Sequence, residues 1–154
     1  EILTCDWSSD VCSSDLVSRM RVSAAGELRD REVFGPEPLG TGFPDGIAFD
    51  AYGNLWCTMI MADRLIAITP EGDLRVLLDD GDREATAALE AKFARSEATT
   101  EDMRRAKGTI APWMASVTFG GPDLRTAYIG SLAGTRIPYF RSPVAGLPMV
   151  HWPR

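Results

Sequence analysis

Arg64-Leu65-Ile66-Ala67-Ile68-Thr69-Pro70-Glu71-Gly72-Asp73-Leu74-Arg75 decides how this chain of 154 residues is read, because a close variant stands upstream as Arg19-Met20-Arg21-Val22-Ser23-Ala24-Ala25-Gly26-Glu27-Leu28-Arg29. The two glycines lie 46 residues apart. Self-similarity at a period of roughly 40 to 50 residues is the mark of repeated units, and four short strands per unit make a β-propeller blade. Gly46-Ile47-Ala48-Phe49-Asp50 is likewise echoed by Ser116-Val117-Thr118-Phe119-Gly120, but Phe49 and Phe119 are 70 residues apart, 24 more than the period. That excess predicts an insertion, and residues 82–107 supply it.

Within the middle repeat, short alternating runs at 46–49, 55–60, 65–69 and 74–78 read as four strands of a meander. Asp50-Ala51-Tyr52-Gly53-Asn54 and Pro70-Glu71-Gly72-Asp73 lie between them. Gly and Asn tolerate positive φ and Pro presets the first corner, so both segments are turn compositions. The last repeat predicts strands at 116–119, 126–131, 136–140 and 148–152, with Gly120-Gly121-Pro122-Asp123 as its first turn. Residues 17–24 and 27–34 read as the outer two strands of a blade whose inner half is missing. The fold class is therefore all-β, a partial propeller of about two and a half four-stranded blades. The insert near 83–107 switches to helical period, with Ala85, Leu89 and Phe93 on one face and Arg83, Glu84, Glu90 and Arg95 facing outward. Asp82 is expected to cap its first helix, Thr100 to open a second, and Gly108 to end it in a left-handed conformation. Such a hairpin either covers the propeller face or is a tolerated surface insertion.

The first sixteen residues differ from the rest. They hold four acids, no bases and two of the three cysteines. The run from Asp6 to Leu16, with Cys5 in the same frame, resembles a translated short-read sequencing adapter, so 1–16 is expected to be a leader foreign to the fold and 17–152 the propeller part. A disordered acidic leader or a Cys5/Cys12 pair are the biological alternatives. Without those four acids the net charge of −6 becomes −2, from 18 acidic and 16 basic residues. Basic residues are then scattered singly except for Arg104, Arg105 and Lys107, which gives no reason to expect nucleic acid as a partner. No apolar run is long enough to span a membrane and no basic-then-apolar signal opens the chain. Cys57 remains as a lone thiol, consistent with a cytoplasmic location.

Two segments carry a family resemblance. Phe43-Pro44-Asp45-Gly46-Ile47-Ala48-Phe49-Asp50-Ala51-Tyr52-Gly53-Asn54-Leu55-Trp56 resembles a Pro-Asp-Gly inner-strand start followed by an Asp-x-x-Gly-Asn-Leu-Trp turn. Phe119-Gly120-Gly121-Pro122-Asp123-Leu124-Arg125-Thr126-Ala127-Tyr128-Ile129 resembles a Phe-Gly-Gly-Pro-Asp-Leu segment leading into a Tyr-centred strand. Both are similar to hallmark segments of the senescence marker protein/gluconolactonase (regucalcin-like) family, and the resemblance runs from Val17 to Trp152. The helical insert and the stretch Phe140 to Pro148 are features of a subgroup.

The resemblance implies a six-bladed parent that holds one divalent cation, calcium or zinc, in its central channel and hydrolyses sugar lactones. It implies a cation held by a Glu of the first blade, an Asn of a middle blade and an Asp at an inner strand. Only the last has a matching position here, Asp45, which would serve as metal ligand and possible general base. Hard oxygen ligands suit calcium, and a Lewis-acidic cation can polarise a carbonyl. The Glu and Asn belong upstream of Val17, so the chain is expected to be an inactive fragment. Taken by itself, Pro-Asp-Gly is also a common turn tripeptide. A noncatalytic propeller that binds through its face is the competing reading, with a strictosidine-synthase-like ester hydrolase a third.

Other residues carry less. His151 has no nucleophile pattern beside it and reads as structural. Asp79-Asp80-Gly81-Asp82 resembles the opening of a calcium loop, but Ala87 stands where its Glu belongs, so a helix-opening turn is preferred. Trp56, Trp113, Phe119, Tyr128 and Trp152 read as packing between blades, and Cys57 as a buried inert thiol. Trp113 and Met114 occupy the place in their repeat that Asp45 occupies in its own and are expected at the channel mouth, with Ser116 as a polar channel group. Arg64 is expected to form a solvated pair with Asp63.

Overall fold

The computed structural model describes residues 16–149 and the backbone of residues 2–5. Three antiparallel sheets follow one another along the chain. The first holds β1 (Ile2–Cys5), β2 (Val17–Val22) and β3 (Leu28–Val33). The second is a four-stranded meander of β4 (Phe43–Phe49), β5 (Leu55–Ile60), β6 (Arg64–Ile68) and β7 (Leu74–Asp79). After α1 (Arg83–Phe93) and α2 (Thr100–Ala106) comes the third, β8 (Met114–Gly120), β9 (Thr126–Ser131) and β10 (Tyr139–Arg141). Consecutive meanders with a helical insertion are the partial propeller that the repeat predicts. β1 falls in the segment expected to be foreign to the fold and pairs with β2 from Ile2↔Met20 to Cys5↔Val17.

The central strands of the middle sheet, β5 and β6, are buried on both faces, which explains their apolar sequence. Side chains alternate across a sheet with period two. Leu55, Cys57, Met59, Ile66 and Ile68 point to one side and pack with Val17, Phe34 and Leu39 beside the first sheet. Trp56, Leu65 and Ala67 point the other way and pack with Met114, Val117, Phe119, Ala127 and Ile129 of the third. The Trp56 and Phe119 rings meet edge to face at 4.9 Å, as expected of blade-to-blade packing. Gly53 and Gly72 take φ of 81° and 94° in the two predicted turns.

The third sheet departs from expectation. Its outer strand is Tyr139–Arg141, not 136–140. Pro148 and Met149 lie outside any strand, and His151 and Trp152 lie outside the described residues. Residues 143–147 cross to the first turn of the middle blade. Ala51 N–H donates to the Ala145 carbonyl at 2.7 Å, Leu147 N–H to Phe49 at 2.9 Å and Gly146 N–H to Leu124 at 2.8 Å. These bonds satisfy backbone groups of residues 145–147 against that turn and Leu124.

In the insert, the Asp82 side chain caps α1 by accepting from Ala85 N–H at 2.8 Å. The cap of α2 is Thr99 rather than Thr100, with Asp102 completing a capping box. Glu90 does not face outward. Its carboxylate accepts from Gly42 N–H at 2.6 Å, and the Phe93 ring lies 4.9 Å from that of Phe43. The insert thus docks on the loop that feeds β4. Gly108 is no left-handed stop, because α2 ends at Lys107 in extended backbone and the Gly108 N–H is drawn to Asp63 at 2.7 Å.

The two helices are joined by the Lys92–Asp102 ion pair. That pair and the Thr99 hydroxyl hold the Asp102 carboxyl down at about 2, below its ordinary 3.8. A depressed carboxyl contributes stability above its unfolded value and loses it as pH falls through the folded one. The helical hairpin is therefore expected to keep this link at pH 5 and to lose it between about pH 4 and pH 2. The protection of the Thr99 amide, its exchange relative to an unstructured chain at the same pH, should fall over that window, and unchanged protection would contradict the assignment.

Candidate functional site

Asp45 sits in a β-bulge. Pro44 pairs with Met59 and Ile47 with Cys57, so Asp45 and Gly46 together face the single residue Thr58. An extra residue re-aims the local side chains and leaves backbone groups outside the ladder, and bulges recur beside functional sites for that reason. The Thr58 hydroxyl, fully buried, takes up the unpaired groups. It accepts from Gly46 N–H at 2.9 Å and donates to the Gly46 carbonyl at 3.3 Å. Asp45 is half-buried, and that burial pushes its carboxyl above the usual range.

The bulge also brings two sheet edges together. A Cβ on Gly46 would stand 2.5 Å from both the Ala115 carbonyl oxygen and Ser116 Cα of β8, so only glycine allows β4 and β8 this close. In β8 the register shifts between Met114, opposite Ser131, and Ser116, opposite Gly130. Matching the two blades rung by rung sets Ser116 where Gly46 stands and Gly130 where Thr58 stands. Hydroxyl and glycine have exchanged strands. A Cβ on Gly130 would collide with Ser116 Oγ, so the second glycine makes room for the hydroxyl that the first one faces. Ala115 occupies the place of Asp45, and the third blade offers no carboxylate there.

Trp113 and Met114 are not both at the channel mouth. Met114 is completely buried in the core between blades, and Trp113 donates its indole N–H to the Met103 carbonyl of α2 at 3.3 Å. Ser116 is exposed.

Asp50, Asp63, Asp79, Asp80 and Asp82 are each committed to the chain itself. Asp50 is buried and accepts from Tyr52 N–H, Asn54 N–H, Asn54 Nδ2 and Trp56 Nε1 at 2.7 to 3.0 Å, which closes the first turn. Asp63 is buried too, at φ 44°, and is not paired with Arg64. It accepts from Gly108 N–H and Met114 N–H, both at 2.7 Å. Arg64 instead lies 3.8 Å from Asp79 and donates to Thr41. Asp80 accepts from Thr109 N–H at 2.7 Å and Ile110 N–H at 2.6 Å, and Asp79 pairs with Arg83 at 2.8 Å. With Asp82 as a helix cap, this run is the helix-opening turn. A groove of about 510 Å³ beside it holds the Arg64 and Arg83 guanidiniums, which share Asp79. The roles of Asp63 and Thr58 had no local signature in the sequence, since their partners lie in other strands or 45 to 51 residues away.

The described residues do not by themselves accommodate a divalent cation. The described residues contain no group of three or more His, Cys, Asp or Glu placed to hold a metal, whereas calcium takes about six to eight oxygens.

A family model described as the SMP-30/Gluconolactonase/LRE-like region matches residues 9–89, just over half of the chain. The chain belongs to the SMP-30/gluconolactonase/LRE-like family. The match ends inside α1, so family membership rests on the middle blade, the strands before it and the start of the insert. No curated protein matches this SMP-30/gluconolactonase/LRE-like chain. Two solved structures share its fold. A luciferin-regenerating enzyme is 20% identical at a TM-score of 0.54, over 86% of this chain and 40% of its own. A candidate gluconolactonase is 22% identical at 0.55, over 90% of this chain and 35% of its own. The chain thus spans less than half the length of either. No helix among the described residues is long and apolar enough to cross a membrane.

Proposed function

We propose that this chain is the C-terminal part of a divalent-metal-dependent sugar-lactone hydrolase and is inactive by itself. On this reading residues 17–152 are the last blades of a six-bladed cytoplasmic enzyme and residues 1–16 a foreign leader, whose last eight residues the family match takes in. The reading is carried by the bulge that presents the half-buried Asp45 at the β4 edge, in a family named for gluconolactonase. When bound, calcium or zinc would supply Lewis acidity to the lactone carbonyl. Asp45 would contribute one carboxylate to that ion and could serve as general base. No reaction step is assigned to the chain alone, because its described residues complete no ligand shell.

Burial raises the Asp45 carboxyl and so disfavours its charged form, which means that ionising this group works against the fold as pH rises from its unfolded value through the raised one. Asp45→Asn is therefore expected to melt at or above the parent temperature at pH 7, as a residue kept for function does. A clearly lower melting temperature would mark Asp45 as structural. The activity test compares δ-gluconolactone hydrolysis by the longer product of the same gene with and without Asp45→Asn. A loss of roughly a hundredfold or more is expected, and this chain alone should match the uncatalysed rate. Full activity of the variant would remove the enzymatic reading and leave a propeller that only binds.

A further inference from the structure

We infer that Thr58 is the positioning residue of Asp45, holding its carboxylate in place through the main chain of the β4 bulge. The inference rests on the functional reading of Asp45, but its geometry stands apart from any ligand. Thr58 is the single residue opposite Asp45 and Gly46, and its hydroxyl bonds both polar backbone groups of Gly46, donating to one and accepting from the other. A bulge left without this clamp would have a backbone N–H and carbonyl with no ladder partner, and flattening it by one residue would turn Asp45 to the opposite face of the sheet. The third blade provides the internal contrast. There the equivalent rung carries Gly130 opposite Ser116, the clamping hydroxyl on the second strand is gone, and so is the carboxylate, replaced by Ala115. Clamp and carboxylate occur together in one blade and are absent together in the other.

A buried threonine could serve packing alone, so the test separates hydroxyl from methyl and local from global effects. Thr58→Val keeps the shape and removes the hydroxyl, whereas Thr58→Ser keeps the hydroxyl and trims the methyl. In the folded chain, Thr58→Val is expected to speed Gly46 amide exchange about tenfold or more, the loss of one buried hydrogen bond. It should also change the Asp45 backbone couplings, while Leu65 and Ile66 amides keep their rates. Thr58→Ser should restore Gly46 to within about threefold of the parent, a rescue that a packing role would not give. Unchanged Gly46 exchange and Asp45 couplings in Thr58→Val would overturn the inference, as would equal acceleration across β6. Failure of the functional reading appears elsewhere, as retained lactone hydrolysis in Asp45→Asn, and leaves the Gly46 result intact.

Discussion

Gly46→Val is expected to destabilise this chain by about 3 kcal/mol or more, with Gly46→Ala costing somewhat less. The atoms that a Cβ would strike at 2.5 Å are the Ala115 carbonyl oxygen and Ser116 Cα. Both belong to backbone, so no side chain can swing away to relieve the clash. β8 is held by its ladder to β9 from Met114 to Gly120, and β4 by its ladder to β5, so the strain must be met by separating two blades. Separation would loosen the shared core of Trp56, Val117, Phe119 and Ile129, where dense packing transmits small displacements. Chemical denaturation measures the effect, and a variant within about 0.5 kcal/mol of the parent would mean that the two edges are not in contact.

Asp63→Ala is expected to cost about 3 to 5 kcal/mol. It removes both acceptors of a fully buried carboxylate and leaves Gly108 N–H and Met114 N–H without partners. A left-handed φ of 44° adds a further cost for alanine that aspartate and asparagine tolerate better. Asp63→Asn keeps one acceptor and the backbone preference, so it should lose less than half as much. Because one bonded amide follows α2 and the other opens β8, the damage should concentrate there. Proteolysis at Arg104 or Arg105 should accelerate before the middle blade opens. Equal losses for the alanine and asparagine variants would contradict this account.

Much of the architecture was legible because it is written in local pattern. The 46-residue recurrence, the alternation through Leu55 to Ile60 and the Gly53 and Gly72 turns are properties of neighbours in sequence, as is the helical period of Ala85, Leu89 and Phe93. What escaped depends on partners far along the chain. Glu90 looked like an outward-facing helical residue, yet it accepts from Gly42 N–H. Gly108 looked like a helix stop, yet its amide belongs to Asp63. The tail after Ser142 could not be placed from its own composition, since its hydrogen bonds run to Phe49, Ala51 and Leu124. At the site, the Pro-Asp-Gly segment pointed to Asp45 by resemblance, whereas the bulge, the Thr58 clamp and the exchange of glycine and hydroxyl between blades needed the register of four strands.

The central proposal is that Asp45 presents a metal-binding carboxylate at the β4 edge while the described residues do not complete a ligand set. It is tested most directly by titrating the ¹⁵N- and ¹³C-labelled chain with Mn²⁺ and following paramagnetic broadening residue by residue. The account predicts weak, unsaturated broadening centred on Asp45 and Gly46 that disappears in Asp45→Asn, with the buried Asp50 and Asp63 unaffected. Tight one-to-one binding would contradict the incomplete ligand set, and broadening that spares Asp45 or survives in Asp45→Asn would contradict its role as a ligand.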